Sequence, residues 1–343
     1  MGQHGLLFQD PAYKYHTKFK DHVESILSVG DDIPPAPGSV RRFQEKVDYY
    51  EAGNENTVIG AIMPYILKDT FTPTAFTKEV LLNQVEPETP WEAARFNEIR
   101  AQLVDNQAAV LEFWDHGIVT THDIDFTRTL LPNRYRDLGY EKKLAVDLAK
   151  EKGMTNPRPD FALGIKRGTI HRPSPPFILS ERTQTLLLVS PLMEHTFLIV
   201  EAKSNGGSII KAHQQQRRGG STILNAELEL RQRAGLAIGV GPCYKTFIFS
   251  VCCTGGVFEV WVHWIELNET APPRFHMNSV CQKSLRDADA LLVTRNWMSK
   301  IIQWGGIARR AELDALHQAL YAREPYWLQQ EVEERAAKRN RTG

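Results

Sequence analysis

The sequence predicts an α/β fold in which a mixed central sheet is flanked by helices, and three features carry that expectation. Phe197-Leu198-Ile199-Val200-Glu201-Ala202-Lys203 is an apolar run of strand length. Two strongly β-prone runs, Tyr244 to Cys253 and Val257 to Glu266, are joined by Thr254-Gly255-Gly256, which is good hairpin chemistry. Between them and the first run, Ile209 to Arg233 reads as one long helix interrupted at Gly219-Gly220.

Taken in order, residues 1–40 are polar and close on Asp31-Asp32-Ile33-Pro34-Pro35-Ala36-Pro37-Gly38, which cannot continue a helix, so they read as a flexible arm. Residues 41–322 form the expected globular domain. Its first helix spans about 40–67, broken at Ala52-Gly53-Asn54, with Asn54 placed to cap Val58, Ile59, Ile62 and Ile66 on one face. Residues 68–150 read as a helical insertion, because Trp91, Ala94, Ile99, Leu103, Val110, Leu111 and Trp114 recur at roughly helical spacing in a long helix near 91–115 and a further helix runs from Tyr140 to Lys152. Pro159 to Ile165 is a short strand candidate, followed by a proline-rich loop around Arg172 to Pro176. Helices are expected at about 284–303 and 309–322, and Pro325 is expected to end the compact structure, leaving 323–343 as a charged tail.

With 42% hydrophobic and 24% charged residues, the chain has an ordinary globular composition and can bury a sizeable core. Its 41 basic and 41 acidic side chains cancel, which removes any global electrostatic attraction for nucleic acid and leaves only local patches. The candidates are Arg217-Arg218, Arg231 with Arg233, Arg309-Arg310 and Lys338 to Arg341. Four cysteines without paired spacing point to reduced thiols rather than a zinc motif or disulfides. No run approaches twenty apolar residues and the first sixteen residues hold no signal-peptide core, so the expected protein is soluble and intracellular, nuclear or cytoplasmic, with no membrane partner.

The chemistry is concentrated in Glu201 and Lys203. Ionisable side chains in a strand this apolar are costly unless paired or bound to a metal. Strand alternation puts both on one face, about 6–7 Å apart. Upstream, Asp160 starts another candidate strand, and a carboxylate from a neighbouring strand can join Glu201 around a hard cation. His213 and His263 read as hydrogen-bonded structural residues, Cys252 and Cys253 as buried on opposite faces, and Trp261 and Trp264 likewise as opposed.

In this series the chain resembles the PD-(D/E)XK, or restriction-endonuclease-like, superfamily. Pro159-Asp160 and Glu201-Ala202-Lys203 match its paired motifs, and more narrowly the chain resembles a fungal nuclease-like domain of unknown function across roughly 40–320. The stretches carrying that narrower likeness are Asn156 to Asp160, Phe197 to Ser204, Gly219-Gly220, Val260 to Trp264 and Ile301 to Arg310. The resemblance implies an αβββαβ core, a metal-dependent nuclease and a DNA or RNA partner. It implies Mg2+ or Mn2+ on Asp160 and Glu201, with Glu55 on the first helix as a further acidic ligand. Lys203 is implied as the group that activates water or stabilises the transition state, and Gln215 as the site glutamine of the long helix. The alternative is a nuclease-like binding or scaffolding domain that has lost turnover.

Overall fold

The computed structural model describes residues 17–28, 44, 110–113, 118–122, 159–166, 170, 179–187, 193–204, 207–236, 238–254, 256–270 and 273–342. Its elements are α1 (Thr17–Ser28), β1 (Val110–Phe113), β2 (Ile118–His122), β3 (Phe161–Lys166), α2 (Glu181–Leu187), β4 (Met193–Ala202), α3 (Ile209–Arg233), β5 (Gly241–Cys253), β6 (Val257–Leu267), β7 (Arg274–Ser284) and α4 (Ala288–Gln303). A π-helical segment (Trp304–Ala308) then leads into α5 (Arg309–Thr342).

The seven strands form one mixed sheet in sequential order β1 to β7. Strands β1 to β4 run as an antiparallel meander, α3 crosses over, and β5 returns parallel to β4 before β6 and β7 add antiparallel pairs. A parallel neighbour requires such a crossover, because a tight turn can only reverse the chain. All ten residues of β4 are buried, as expected for a central strand covered on both faces.

The α3 helix packs on one face. It is continuous, so the expected interruption at Gly219-Gly220 is not there. These glycines instead let the helix approach the sheet: a Cβ on Gly219 would lie 2.8 Å from Ile199 Cδ1, and one on Gly220 would lie 2.3 Å from His263 Nδ1. Close backbone approach offsets the low helix propensity of glycine. The opposite face is covered by α1 and by the π-helical turn. Phe19 meets Phe247 and Trp264 at ring-centroid distances of 5.5 and 5.4 Å, and Trp304 stacks on Phe247 at 4.6 Å.

Four expectations need correction. The 1–40 arm contains α1, whose Phe19, Val23, Ile26 and Leu27 recur at i, i+4, i+7 and i+8 and are buried. In the 68–150 insertion the described segments are strands, not helix, and β1 takes Val110 and Leu111 out of the expected 91–115 helix. Their β-branched and aromatic residues suit an edge of the sheet better than a helix face. Strand β7 lies where none was expected. Finally, α5 runs through Pro325 to Thr342, because docking outweighs the lost backbone bond. The buried Glu324 accepts the Ser180 N–H at 2.5 Å and the Thr183 hydroxyl at 3.1 Å, Trp327 donates to the Arg233 carbonyl at 2.9 Å, and the Arg233 guanidinium lies 4.3 Å over the Trp327 ring. Apart from residue 44, the helix expected at about 40–67 lies outside the described residues, as do residues 91–109 of the helix expected near 91–115 and the whole helix expected from Tyr140 to Lys152.

Candidate active site

Strand register decides which ionisable groups meet. Phe161 pairs with Val200 in the β3–β4 ladder, so Asp160, one residue before β3, stands opposite Glu201. Glu201 pairs with Cys252 across β4–β5, and Cys252 with Glu259 across β5–β6. Directly opposed residues project from the same face. Because Ile199 meets α3, alternation puts Glu201 and Lys203 on the α3 side as well. The result is a row of polar side chains, Asp160, Glu201, Cys252 and Glu259, across four neighbouring strands beneath the start of α3.

Asp160 is held by two contacts. Its Oδ2 accepts the Ala202 backbone N–H at 2.7 Å and lies 3.8 Å from Lys203 Nζ. The Lys203 ammonium in turn donates to the Ala202 carbonyl at 2.7 Å, while its backbone N–H continues the ladder to Cys253 O at 2.9 Å. These bonds fix both side chains at the strand ends. Glu201 is 1% exposed and Lys203 6%, whereas the Asp160 side chain, 18% exposed, is the part of the trio that faces outward.

From the helix, Arg218 is near enough to feel Glu201: burial lowers its pKa and the Glu201 carboxylate opposes that shift. Arg217 is pushed down to about 10 by burial and stays charged at neutral pH. Of the three consecutive glutamines, Gln216 is fully buried on the sheet side of α3, while Gln215, expected from the resemblance, is half-buried. Gln216 precedes the sheet-facing Gly219 and Gly220 by one turn, which places it on their stripe. Glu55 lies outside the described residues.

Three neighbouring residues were not anticipated as a group. His213 Nε2 meets Glu259 Oε2 at 2.6 Å, and the Trp261 indole N–H donates to the same oxygen at 3.2 Å. Cys252 is buried beside them, and its thiol is pushed well up by burial, with Cys253, Glu259 and Glu201 adding to the shift, so it is not a nucleophile here. A signal for Glu259 was present: it interrupts an apolar strand just as Glu201 does. His263 is hydrogen-bonded to Ser250 Oγ at 2.7 Å, as the structural reading of that residue expects. Trp264 is core on the far face and Trp261 packs under α3, so the alternation expected for them holds.

Several basic residues weighed as surface patches are instead internal ties. Arg309 is 2% exposed, with Nη2 at 2.5 Å from Glu227 Oε2 and Nη1 donating to Phe247 O at 2.7 Å. Arg231 donates to Lys245 O at 2.6 Å, and Arg233 to the Thr183 and Ser180 hydroxyls at 2.9 and 2.8 Å. Their charge is spent on joining α3, α5 and the sheet, so these three cannot serve as an exposed basic patch.

As a donor set, Asp160 and Glu201 suit a hard divalent cation, because both offer carboxylate oxygens from opposed strand positions with an ammonium beside them. The family model described as Domain of unknown function (DUF7924) matches residues 42–317, and the chain belongs to that family. The matched span contains Asp160, Glu201, Lys203 and every strand of the sheet. No curated protein and no solved structure is matched. No helix among the described residues is long and apolar enough to cross a membrane.

Proposed function

We propose that this chain is a metal-dependent nuclease that hydrolyses phosphodiester bonds of DNA or RNA, on a restriction-endonuclease-like core. One observation carries the reading: Asp160, just before β3, stands opposite Glu201 near the end of β4, and Lys203 Nζ lies 3.8 Å from Asp160 Oδ2. The order β2-β3-β4, α3, then β5 parallel to β4 supports it, since it is the βββαβ portion of the expected core.

Asp160 and Glu201 would hold Mg2+ or Mn2+, with Glu55 a further candidate ligand. Such a cation supplies positive charge that polarises a phosphodiester and acidifies water. The chain's own groups do the rest. The Ala202 N–H orients Asp160, and the Ala202 carbonyl keeps the Lys203 ammonium at the strand end. There it orients the attacking water or stabilises negative charge that develops on the phosphoryl oxygens, the role for which a preorganised cation is most effective.

The test is cleavage of single- and double-stranded DNA and RNA by the full chain with Mg2+ or Mn2+. Asp160→Ala and Lys203→Ala are expected to lower the rate by about 100-fold or more while circular dichroism stays unchanged. No cleavage by the native chain, or equal cleavage in both variants, overturns the proposal. A second reading, a binding or scaffolding domain without turnover, is favoured by the burial of Glu201 and Lys203 and by the internal use of Arg231, Arg233 and Arg309. It predicts nucleic acid or protein binding with no cleavage and no Mg2+ heat in calorimetry.

A further inference from the structure

Next to the carboxylate pair, the α3 face carries a second cluster that phosphodiester hydrolysis does not use. Cys252 stands beside Glu259 across β5–β6, and the second turn of α3 brings His213 over both. The ligand-capable atoms of His213, Cys252 and Glu259 all lie within 4.8 Å of one another, and all three residues are buried. His213 Nε2 already meets Glu259 Oε2 at 2.6 Å.

An imidazole, a thiol and a carboxylate form a borderline-soft donor set, which selects zinc-like ions over Mg2+. Tetrahedral zinc with ligand bonds of about 2.0–2.3 Å separates its ligand atoms by roughly 3.3–3.8 Å, so closing the present triangle takes movements of about 1 Å. The surroundings are built to orient such ligands. The Trp261 N–H donates to Glu259 Oε2 at 3.2 Å, and its ring packs edge-on against His213 with centroids 4.7 Å apart. Outer contacts of this kind hold metal ligands in register.

An independent observation points to a ligand at the same place. Gln216 is 0% exposed, and neither its side-chain oxygen nor its nitrogen has a hydrogen-bond partner. Buried amides left unmet are costly and rare. Gln216 follows His213 by three residues, so the two side chains are neighbours on one helix face, and Gly219 and Gly220 show that this face meets the sheet. Its amide is therefore directed into the space between α3 and the row Glu201, Cys252, Glu259.

We infer that His213 Nε2, Cys252 Sγ and a Glu259 carboxylate oxygen bind a zinc-type transition-metal ion, whose fourth position takes a water or anion hydrogen-bonded to Gln216. On loading, the proton between His213 Nε2 and Glu259 Oε2 leaves, to Nδ1 of the ring or to solvent, and the Cys252 thiol gives up its proton to solvent, so that a neutral imidazole nitrogen, a carboxylate oxygen and a thiolate sulfur face the ion. The ligands differ from the Asp160 and Glu201 pair, so this inference stands apart from the nuclease proposal.

The experiment loads chelator-treated full-length chain with Co2+ alone. One thiolate-bound Co2+ per chain is expected, counted from a thiolate-to-cobalt charge-transfer band in the near ultraviolet that added Zn2+ displaces. Cys252→Ser should lose the band, His213→Gln and Glu259→Gln should weaken binding by about 10-fold or more, and Asp160→Asn should leave both unchanged. Absence of the band in the native chain overturns the inference whether or not any variant folds. So does its persistence in Cys252→Ser, or its loss in Asp160→Asn. Nuclease activity lost in Asp160→Ala with the cobalt band intact separates this site from the hydrolytic one.

Discussion

On β5 and β6, Phe247, Phe249, Val251, Val260, Val262 and Trp264 point to one face of the sheet, and Ser250, Cys252, Glu259, Trp261 and His263 to the other. Both sets are buried, yet they differ in chemistry. The first packs under α1 and the π-helical turn as an aromatic core, where Trp304 touches Phe197, Phe247 and Phe249. The second lies under α3 and continues into Glu201, Lys203 and Asp160. Burying carboxylates, an ammonium and imidazoles costs free energy that apolar residues of the same volume would not. The contrast teaches that the aromatic face stabilises the fold, whereas the other face keeps buried ionisable groups at a free-energy cost, and it is there that both proposals lie.

The contrast is broken most directly from the aromatic side. Phe249→Ala should lower stability by about 3–5 kcal/mol, read from urea unfolding, since it leaves a cavity against Trp304. A loss under about 1 kcal/mol would show that the aromatic face is not the stabilising one. Next, Gly220→Ala should cost about 1–3 kcal/mol, because its Cβ would meet the His263 ring as close as 2.3 Å. Gly219→Ala should cost less, since the atom in its way is the movable end of Ile199 at 2.8 Å. Equal losses would mean that α3 shifts as a unit.

The polar face should also make stability depend on pH. Burial, with the Arg217 charge adding, pushes His263 from 6.5 down to about 3. Above the unfolded value neither state holds the proton and stability is full. As pH falls below about 6.5, the unfolded chain takes a proton that the folded chain refuses, so stability drops by up to about 1.4 kcal/mol per pH unit until roughly pH 3. His195, lowered by burial and by His317, adds in the same direction. His263→Gln should flatten this slope, and an unchanged slope would assign it elsewhere. The smallest stability effect is expected at Glu201→Gln, within about 1 kcal/mol, despite a side chain that is 1% exposed. Loss of stability as large as at Phe249 would mark Glu201 as a structural ion rather than a functional one.

Strands β3 to β6 and helices α3 and α4 were legible because their periodicities are strong and local: apolar runs, a Gly-rich hairpin turn and apolar residues at helical spacing. Asp160, Glu201 and Lys203 were legible for a related reason, since each is conspicuous in or beside an apolar strand. Helix α1 carried a readable pattern that the polar surroundings concealed. Strand β7 was harder, because only four of its eleven residues are buried and its His276 and Asn278 find their partners, Glu266 and Trp264, on β6. Continuation through Pro325 could not be read locally, as proline speaks against it and its support comes from residues far along the chain, among them Arg233, Ser180, Thr183 and the Glu181 and Arg182 N–H groups that Glu331 accepts.

By itself, then, the sequence determined which segments are strands or helices in the centre of the chain, and that two carboxylates and an ammonium stand at strand ends within an apolar setting. Tertiary structure alone decided that Cys252 and Glu259 join Glu201 in one row, that His213 comes down on them, and that Gln216 rather than Gln215 turns inward. The physical reason is that periodicity is a property of neighbours along the chain, whereas register across a sheet and the rotation of a helix over it depend on residues tens of positions apart.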